Sequence, residues 1–375
     1  MRLRGCRPHI CLNRNNDQPN TLAWHCLSIA AVASAVQAAF RPEATVIEFW
    51  TGPGSWGVLL GYLAFMVYSR QTTLRESVTF RGVGVHSNAP VCMVLQPAEA
   101  DSGIVFVRRF EDGSEKAIPA LWSSVCRTEL CTVIGDGDVS TIEHVLSALA
   151  GLGVDNVTVE IDGPEAPIMD GSAADFVEGI DQAGIVELDA PRSYIRILKP
   201  VRVEHGRMFS ELRPSNQGFR LEVEIDFAQA VVGRQKAVVD LTASYFRRDI
   251  ARARTFGFLR DVERLWKAGF ALGASLENSV ALEEDRILNP EGLRFDDEFV
   301  RHKTLDAIGD LALAGSPILG TYRSYCGGHR MNVAVLEALF ADPTAYEIVE
   351  APRRRRSGAV EAVLAAAPAF AADHS

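Results

Sequence analysis

The sequence predicts an α+β fold made of two related halves, and three observations carry that expectation. Apolar and polar residues alternate, with the period of half-buried strands, from Thr73 to Phe110 and again from Arg202 to Phe227. A segment with helical spacing follows each β-rich stretch, Ser140 to Gly151 in the first case and Phe299 to Asp310 in the second. The halves also echo one another in sequence. Leu95-x-Pro97 followed by Gly103-Ile104-Val105-Phe106 parallels Leu212-x-Pro214 followed by Gly218-Phe219-Arg220-Leu221.

A chain of 375 residues, 47% hydrophobic and 23% charged, has room for two globular domains. The formal charge of −10 excludes a general nucleic-acid binder, which needs a basic footprint. It also means that a phosphate-bearing ligand must be held by local Lys, Arg or helix N-termini against a repulsive global field. The seven cysteines are scattered without C-x-x-C spacing, which points to neither a disulfide framework nor a cysteine zinc site and suits a reducing compartment.

Residues 1–65 differ in character from the rest. Two uncharged stretches, Thr21 to Phe40 and Phe49 to Ser69, are long enough to span a bilayer, and the arginines before the first give it the outline of a signal peptide. Both are rich in Ala or Gly, which are weak membrane formers, and the leading segment is long for a signal. The preferred account is an over-extended reading frame with its natural start near Met66. A membrane anchor is the second account and a cleaved export signal the third.

From Arg70 the elements follow in order. Ser77 to Phe80 and Val91 to Leu95 read as strands around a turn at Arg81 to Gly84; with no third Gly and no helix behind it, Gly82-x-Gly84 is not a dinucleotide fingerprint. His86 reads as a surface hydrogen-bonder. Ser140 and Glu143 have capping-box spacing, Ile142, Val145, Leu146 and Leu149 form a core stripe, and Gly151 supplies a stop. Glu143 and His144 stand off that stripe, behind the polar Gly135 to Asp138 segment. Asn156 to Ile161 is a strand, Pro167 to Ser172 a turn, and Ala173 to Ala183 a helix. Pro191 to Pro200 marks a domain boundary. Ala253 to Phe258 is a Gly-containing junction, Asp261 to Lys267 a helix, and Gly269 to Leu282 an apolar stretch. In the helix from Phe299, residues His302, Asp306 and Asp310 recur every four positions on one face. An imidazole and a carboxylate one turn apart reach a common metal ion, and a second carboxylate beyond them orients another group. Gly309 on that side leaves room for something to approach. Alone, such spacing is more often a solvated pair. Tyr325 to His329 is a Gly-hinged loop that delivers an imidazole to the last helix, Asn332 to Phe340, and the Arg353 to Arg356 run marks a disordered tail.

Thr141-Ile142-Glu143-His144, Ile168-Met169-Asp170-Gly171-Ser172, Ala253-Arg254-Thr255-Phe256-Gly257-Phe258, the segment Arg301 to Asp310, and Gly327-Gly328-His329 occur in an order and spacing that resemble one family. It is the zinc-dependent UDP-3-O-acyl-N-acetylglucosamine deacetylases of lipid A biosynthesis, and the resemblance runs from about Thr73 to Val349. It implies two similar domains, residues 70–190 and 195–349, each with helices packed against β-sheets and with the active site between them. Residues 1–65 and the tail, 350–375, fall outside it. The resemblance implies Zn²⁺ ligands His144, His302 and Asp306 with an open fourth position, which is the pattern of a catalytic zinc site; Fe²⁺ suits the same ligands. It further implies Glu143 as general base, His329 as cationic partner or general acid oriented by Asp310, and Thr255 assisting the oxyanion. Lys303, Phe256, Leu130 and Cys131 take substrate positions near the metal, and the segment containing Gly273 forms an acyl-chain passage.

The expected reaction is hydrolysis of the N-acetyl group of an acylated UDP-sugar in the cytoplasm, by a monomer without nucleic-acid partners. Membrane association is expected only if the N-terminal extension is real. Two departures stand out. Cys326 occupies a place where the family usually has Lys or Arg for the diphosphate, leaving Arg323 or Arg330 to compensate, and Ala274 replaces a frequent Gly in the acyl passage. They keep open a zinc amidohydrolase for a different acylated sugar nucleotide. The odd N-terminus keeps open a non-catalytic, membrane-tethered zinc-binding regulator.

Overall fold

The computed structural model describes residues 70–215 and 218–351. The 1–65 extension, the start near Met66 and the Arg353 to Arg356 tail lie outside the described residues. Among the described residues no helix is long and apolar enough to cross a membrane.

The first part of the chain runs through β1 (Arg70–Leu74), β2 (Val78–Val83), β3 (Pro90–Pro97), β4 (Ile104–Arg109) and β5 (Glu115–Pro119). The short strands β6 (Val125–Arg127), β7 (Val133–Ile134) and β8 (Val139–Ser140) lead into helix α1 (Glu143–Leu152). Then come β9 (Val157–Ile161), α2 (Ala174–Ala183) and β10 (Ile185–Pro191), the last pairing antiparallel with β1. The main sheet here has the order β2-β3-β9-β4-β5, with β9 antiparallel to β3 and parallel to β4.

The remainder holds β11 (Ser193–Ile197), β12 (Val201–His205), β13 (Met208–Arg213), β14 (Phe219–Asp226) and β15 (Arg234–Asp240). After these come β16 (Phe256–Phe258), α3 (Leu259–Lys267), β17 (Val280–Glu283), β18 (Arg286–Ile287), α4 (Glu298–Ala312), β19 (Ile318–Tyr325), α5 (His329–Phe340) and β20 (Tyr346–Glu350). Here β19 is antiparallel to β13 and parallel to β14, while β12–β13 and β14–β15 are antiparallel pairs. The order β12-β13-β19-β14-β15 therefore repeats that of the first sheet, sense for sense. The sequence echo falls on corresponding strands: Leu95 is in β3 and Leu212 in β13, while Ile104 and Phe219 open β4 and β14.

Strict alternation makes these strands half-buried. Leu221, Val223 and Ile225 of β14, like Val157, Val159 and Ile161 of β9, point inward. Between the strands, α1 buries Val145, Leu146 and Leu149, and α4 buries Phe299, Leu305 and Ile308. At Gly309 a Cβ would stand 1.9 Å from the carbonyl oxygen of Glu143, so α4 meets α1 backbone to backbone there. The room expected at Gly309 is taken by α1 itself.

The capping box does not form. Helix α1 starts at Glu143 with Ile142 as an N-cap that makes no side-chain bond, while Ser140 is drawn into β8 opposite Val133, and its hydroxyl meets the Pro164 carbonyl at 3.2 Å. A lost cap costs about 1 kcal/mol, whereas each fully buried Val or Leu contributes roughly 1.5–3 kcal/mol, so burial of Val145, Leu146 and Leu149 outweighs it. The stop is also displaced. The helix runs through Gly151, whose missing side chain accommodates the Phe246 ring, and ends at Gly153 with φ +78°.

Candidate metal centre

The first turn of α1 and the middle of α4 bring three side chains to one point. His302 Nε2 lies 3.3 Å and His144 Nε2 3.6 Å from Asp306 Oδ1. One ligand atom of each residue lies within 4.8 Å of the others, and all three residues are buried. Two tetrahedral ligands, each about 2.0–2.1 Å from a zinc ion, stand roughly 3.3 Å apart, so the spacing around Asp306 Oδ1 is close to that of a shared shell. This oxygen is buried without a hydrogen-bond partner, a state that calls for a cation beside it. The residues present fit a divalent metal.

Supporting contacts fix the donors unequally. His302 Nδ1 faces the Ala253 carbonyl at 3.1 Å, so the proton belongs on Nδ1 and the Nε2 lone pair points to the cluster. Burial lowers the His302 pKa to about 3, which keeps the ring a neutral donor. Asp306 Oδ2 accepts from Lys303 Nζ at 2.8 Å. Burial opposes ionisation of Asp306, but the Lys303 ammonium beside it prevails and holds the carboxyl well below its usual range. Lys303 stays charged despite burial because of the same contact with Asp306. His144 has no comparable brace: its Nδ1 is buried without a partner.

Beside the cluster, Glu143 is 3% exposed, and its Oε2 accepts from the Thr132 amide at 3.1 Å. Burial raises its pKa, partly offset by His329 and His144. His329 opens α5 with Nε2 4.0 Å from Glu143 Oε1 and Nδ1 2.8 Å from Asp310 Oδ2. Burial disfavours its charge, yet Asp310 and Glu143 prevail and raise the imidazole to about 10. Asp310 is held in turn by the Thr132 hydroxyl at 2.6 Å and by Asn332 Nδ2 at 2.8 Å. Tyr322 donates to Asn332 Oδ1 at 2.5 Å and shares a 2.9 Å bond with Ser210.

The other expected residues are placed as follows. The Phe256 ring lies 6.4 Å from that of His302 and 5.5 Å from Lys303 Nζ. Buried Cys131 is close enough to Glu143 that burial, with that carboxylate, pushes its thiol up to about 12, which suits a packed thiol rather than a thiolate. Half-buried Thr255 donates its amide to the Gly171 carbonyl at 2.7 Å. Leu130 is exposed, with φ +66°. Gly273 packs on the turn after β2, its amide 3.0 Å from the Val85 carbonyl. There the ring of His86, half-buried rather than a surface group, accepts at Nδ1 from the Ala271 amide at 3.3 Å. Arg323 pairs with Glu222 and Glu211, Arg330 is exposed, and Cys326 adopts φ +49° with its amide on the Glu224 carbonyl. A cavity of about 620 Å³ lies at the far ends of α1 and α4, among Gly151, Leu152, Leu311 and Ile318, and the metal cluster does not line it.

Thr132, Asn332, Tyr322 and the Ala253 carbonyl were not visible as site residues in the sequence. Asn332 alone carried a signal, three residues after His329 and so on the same helix face.

A sequence model of the LpxC family, UDP-3-O-acyl N-acetylglycosamine deacetylase, matches residues 71–341. UDP-3-O-acyl-N-acetylglucosamine deacetylases of Brucella ovis and Brucella canis are each 52% identical over 284 residues, covering 75% of this chain and 99% of their own length. The protein of that name from Brucella melitensis biotype 2 is 51% identical over the same length. Matched across most of its described residues, with the buried His144, His302 and Asp306 gathered at one point, the chain belongs to the UDP-3-O-acyl-N-acetylglucosamine deacetylase family.

Proposed function

We propose that this chain removes the N-acetyl group of a UDP-3-O-(3-hydroxyacyl)-N-acetylglucosamine by metal-assisted hydrolysis, releasing acetate. The observation that carries the reading is the unpartnered, buried Asp306 Oδ1 between two imidazole nitrogens, beside a carboxylate that is not part of the cluster. His144, His302 and Asp306 hold Zn²⁺, or Fe²⁺ in its place. The ion supplies Lewis acidity that brings the pKa of water to about 7 and polarises the amide carbonyl.

The chain's own groups then move protons and steady charge. Glu143 takes the water proton on Oε1, its other oxygen being fixed by Thr132. Thr255 hydrogen-bonds the oxygen on which negative charge develops. His329, kept cationic by Asp310, gives its proton to the departing amine. Lys303, Phe256, Leu130 and Cys131 border the sugar nucleotide, and the segment around Gly273 forms the acyl passage. In this reading residues 70–190 and 195–349 are two similar domains with the site between them, supported by the repeated strand order. The protein works as a cytoplasmic monomer, where UDP-sugars are available.

Metal content and acetate release by wild type and Glu143→Ala test the scheme together. The variant keeps its metal and loses about 10²- to 10⁴-fold in turnover; unaltered turnover removes Glu143 from the role of base.

A further inference from the structure

Resting on that metal reading, a second question is what keeps the Ala253 carbonyl where it orients His302. The next residue supplies the answer. Arg254 is 2% exposed and turns into the core to meet Glu298, which is 0% exposed in the first turn of α4, one turn before His302. Glu298 Oε1 accepts from both the backbone amide and Nε of Arg254 at 2.9 Å, and Oε2 accepts from Arg254 Nη2 at 3.2 Å and from the Arg294 amide at 2.6 Å. The guanidinium is completed by Glu291 at 2.7 Å and the Gly292 carbonyl at 2.8 Å. Arg294 in turn reaches Asp170 at 2.7 Å. The neighbouring Gly171 carbonyl takes the Thr255 amide, and a Cβ on Gly171 would stand 1.9 Å from the Asn278 carbonyl oxygen. The Ile168 to Ser172 motif, which the reaction scheme leaves without a task, is thereby tied to the same segment.

For stability alone such a pair has no advantage, since well-packed apolar residues replace buried ion pairs without loss. What a carboxylate accepting four hydrogen bonds provides is direction. It pins residues 253–255 to the start of the helix that carries His302 and Asp306.

We propose that Arg254 and Glu298 are positioning residues for the metal centre: they hold the Ala253 carbonyl so that His302 presents Nε2 to the ion, with Asp170 and Arg294 as an outer brace. The test compares wild type with Glu298→Gln, Arg254→Lys, and the apolar double variant Arg254→Met/Glu298→Leu. Zinc affinity is measured by competition with a chromophoric chelator, the absorption of the cobalt(II)-loaded protein reports ligand geometry, and thermal melting of the metal-free protein reports stability. Each folded variant should bind zinc about 10- to 100-fold more weakly and show an altered cobalt spectrum. The double variant should melt no lower than Glu298→Gln while still binding zinc weakly. Arg254→Lys keeps the charge without the planar fork, so it tests direction even if the other variants do not fold. Zinc affinity within about twofold of wild type in any folded variant overturns the proposal. A wild type that binds no zinc overturns the metal reading instead.

Discussion

Nε2 of His329 stands 4.0 Å from Oε1 of Glu143, with both side chains buried. The imidazole therefore faces one carboxylate through Nε2 and Asp310 through Nδ1, which is why its pKa rises to about 10 from an ordinary 6.5. A group whose pKa rises on folding binds its proton more tightly in the native state. Its stabilising effect is full below the unfolded pKa and fades as pH climbs through the folded one. For His329 that window runs from 6.5 to about 10. Urea unfolding of metal-stripped wild type and His329→Gln should show the largest gap on the acid side of this window, closing on the alkaline side. A gap constant across the window would mean that His329 is not held as a cation.

The contact between Gly309 and the Glu143 carbonyl leaves no space for a methyl group. Gly309→Ala must push α4 and α1 apart or distort one of them, a strain of about 1–3 kcal/mol. Because the carbonyl belongs to the proposed base, turnover should fall along with stability. Denaturant titration and acetate release check both, and a variant as stable and active as wild type would show that the helices can slide freely.

Cys326→Arg asks whether the missing cation matters. Arg323 is already paired to Glu222 and Glu211, which leaves the exposed Arg330 to compensate. The residue sits at φ +49°, a conformation that Arg tolerates no worse than Cys does. The KM for the UDP-sugar should fall with kcat little changed; an unchanged KM argues that the diphosphate is held elsewhere, or that another nucleotide is the substrate.

Much of this architecture was legible because it depends on local patterns. Period-two runs such as Phe219 to Asp226 became strands, and the four-residue spacing of His302, Asp306 and Asp310 became one helix face. The faint echo between Leu95 and Leu212 marked strands that correspond in the two sheets. Sequence reasoning failed where a distant partner took over. Ser140 looked like a cap until Val133 paired with it, and Gly151 looked like a stop until the Phe246 ring required its place, while the close approach that Gly309 permits is made by the α1 backbone. The braces at Thr132, Asn332 and Ala253 left little or no trace in the sequence, because one hydrogen bond made across a long loop has no period.

The repeated strand order has a corollary for quality control of the folded chain. Helices α1 and α4 hold the same rank in their respective repeats, and the cluster draws His144 from one and His302 with Asp306 from the other. Within α4 alone His302 and Asp306 offer an incomplete pair, and the third donor, His144, arrives only when α1 packs against it. On the proposed metal reading, tight uptake during refolding would report that α1 has packed against α4, and the ion would tie the two helices together.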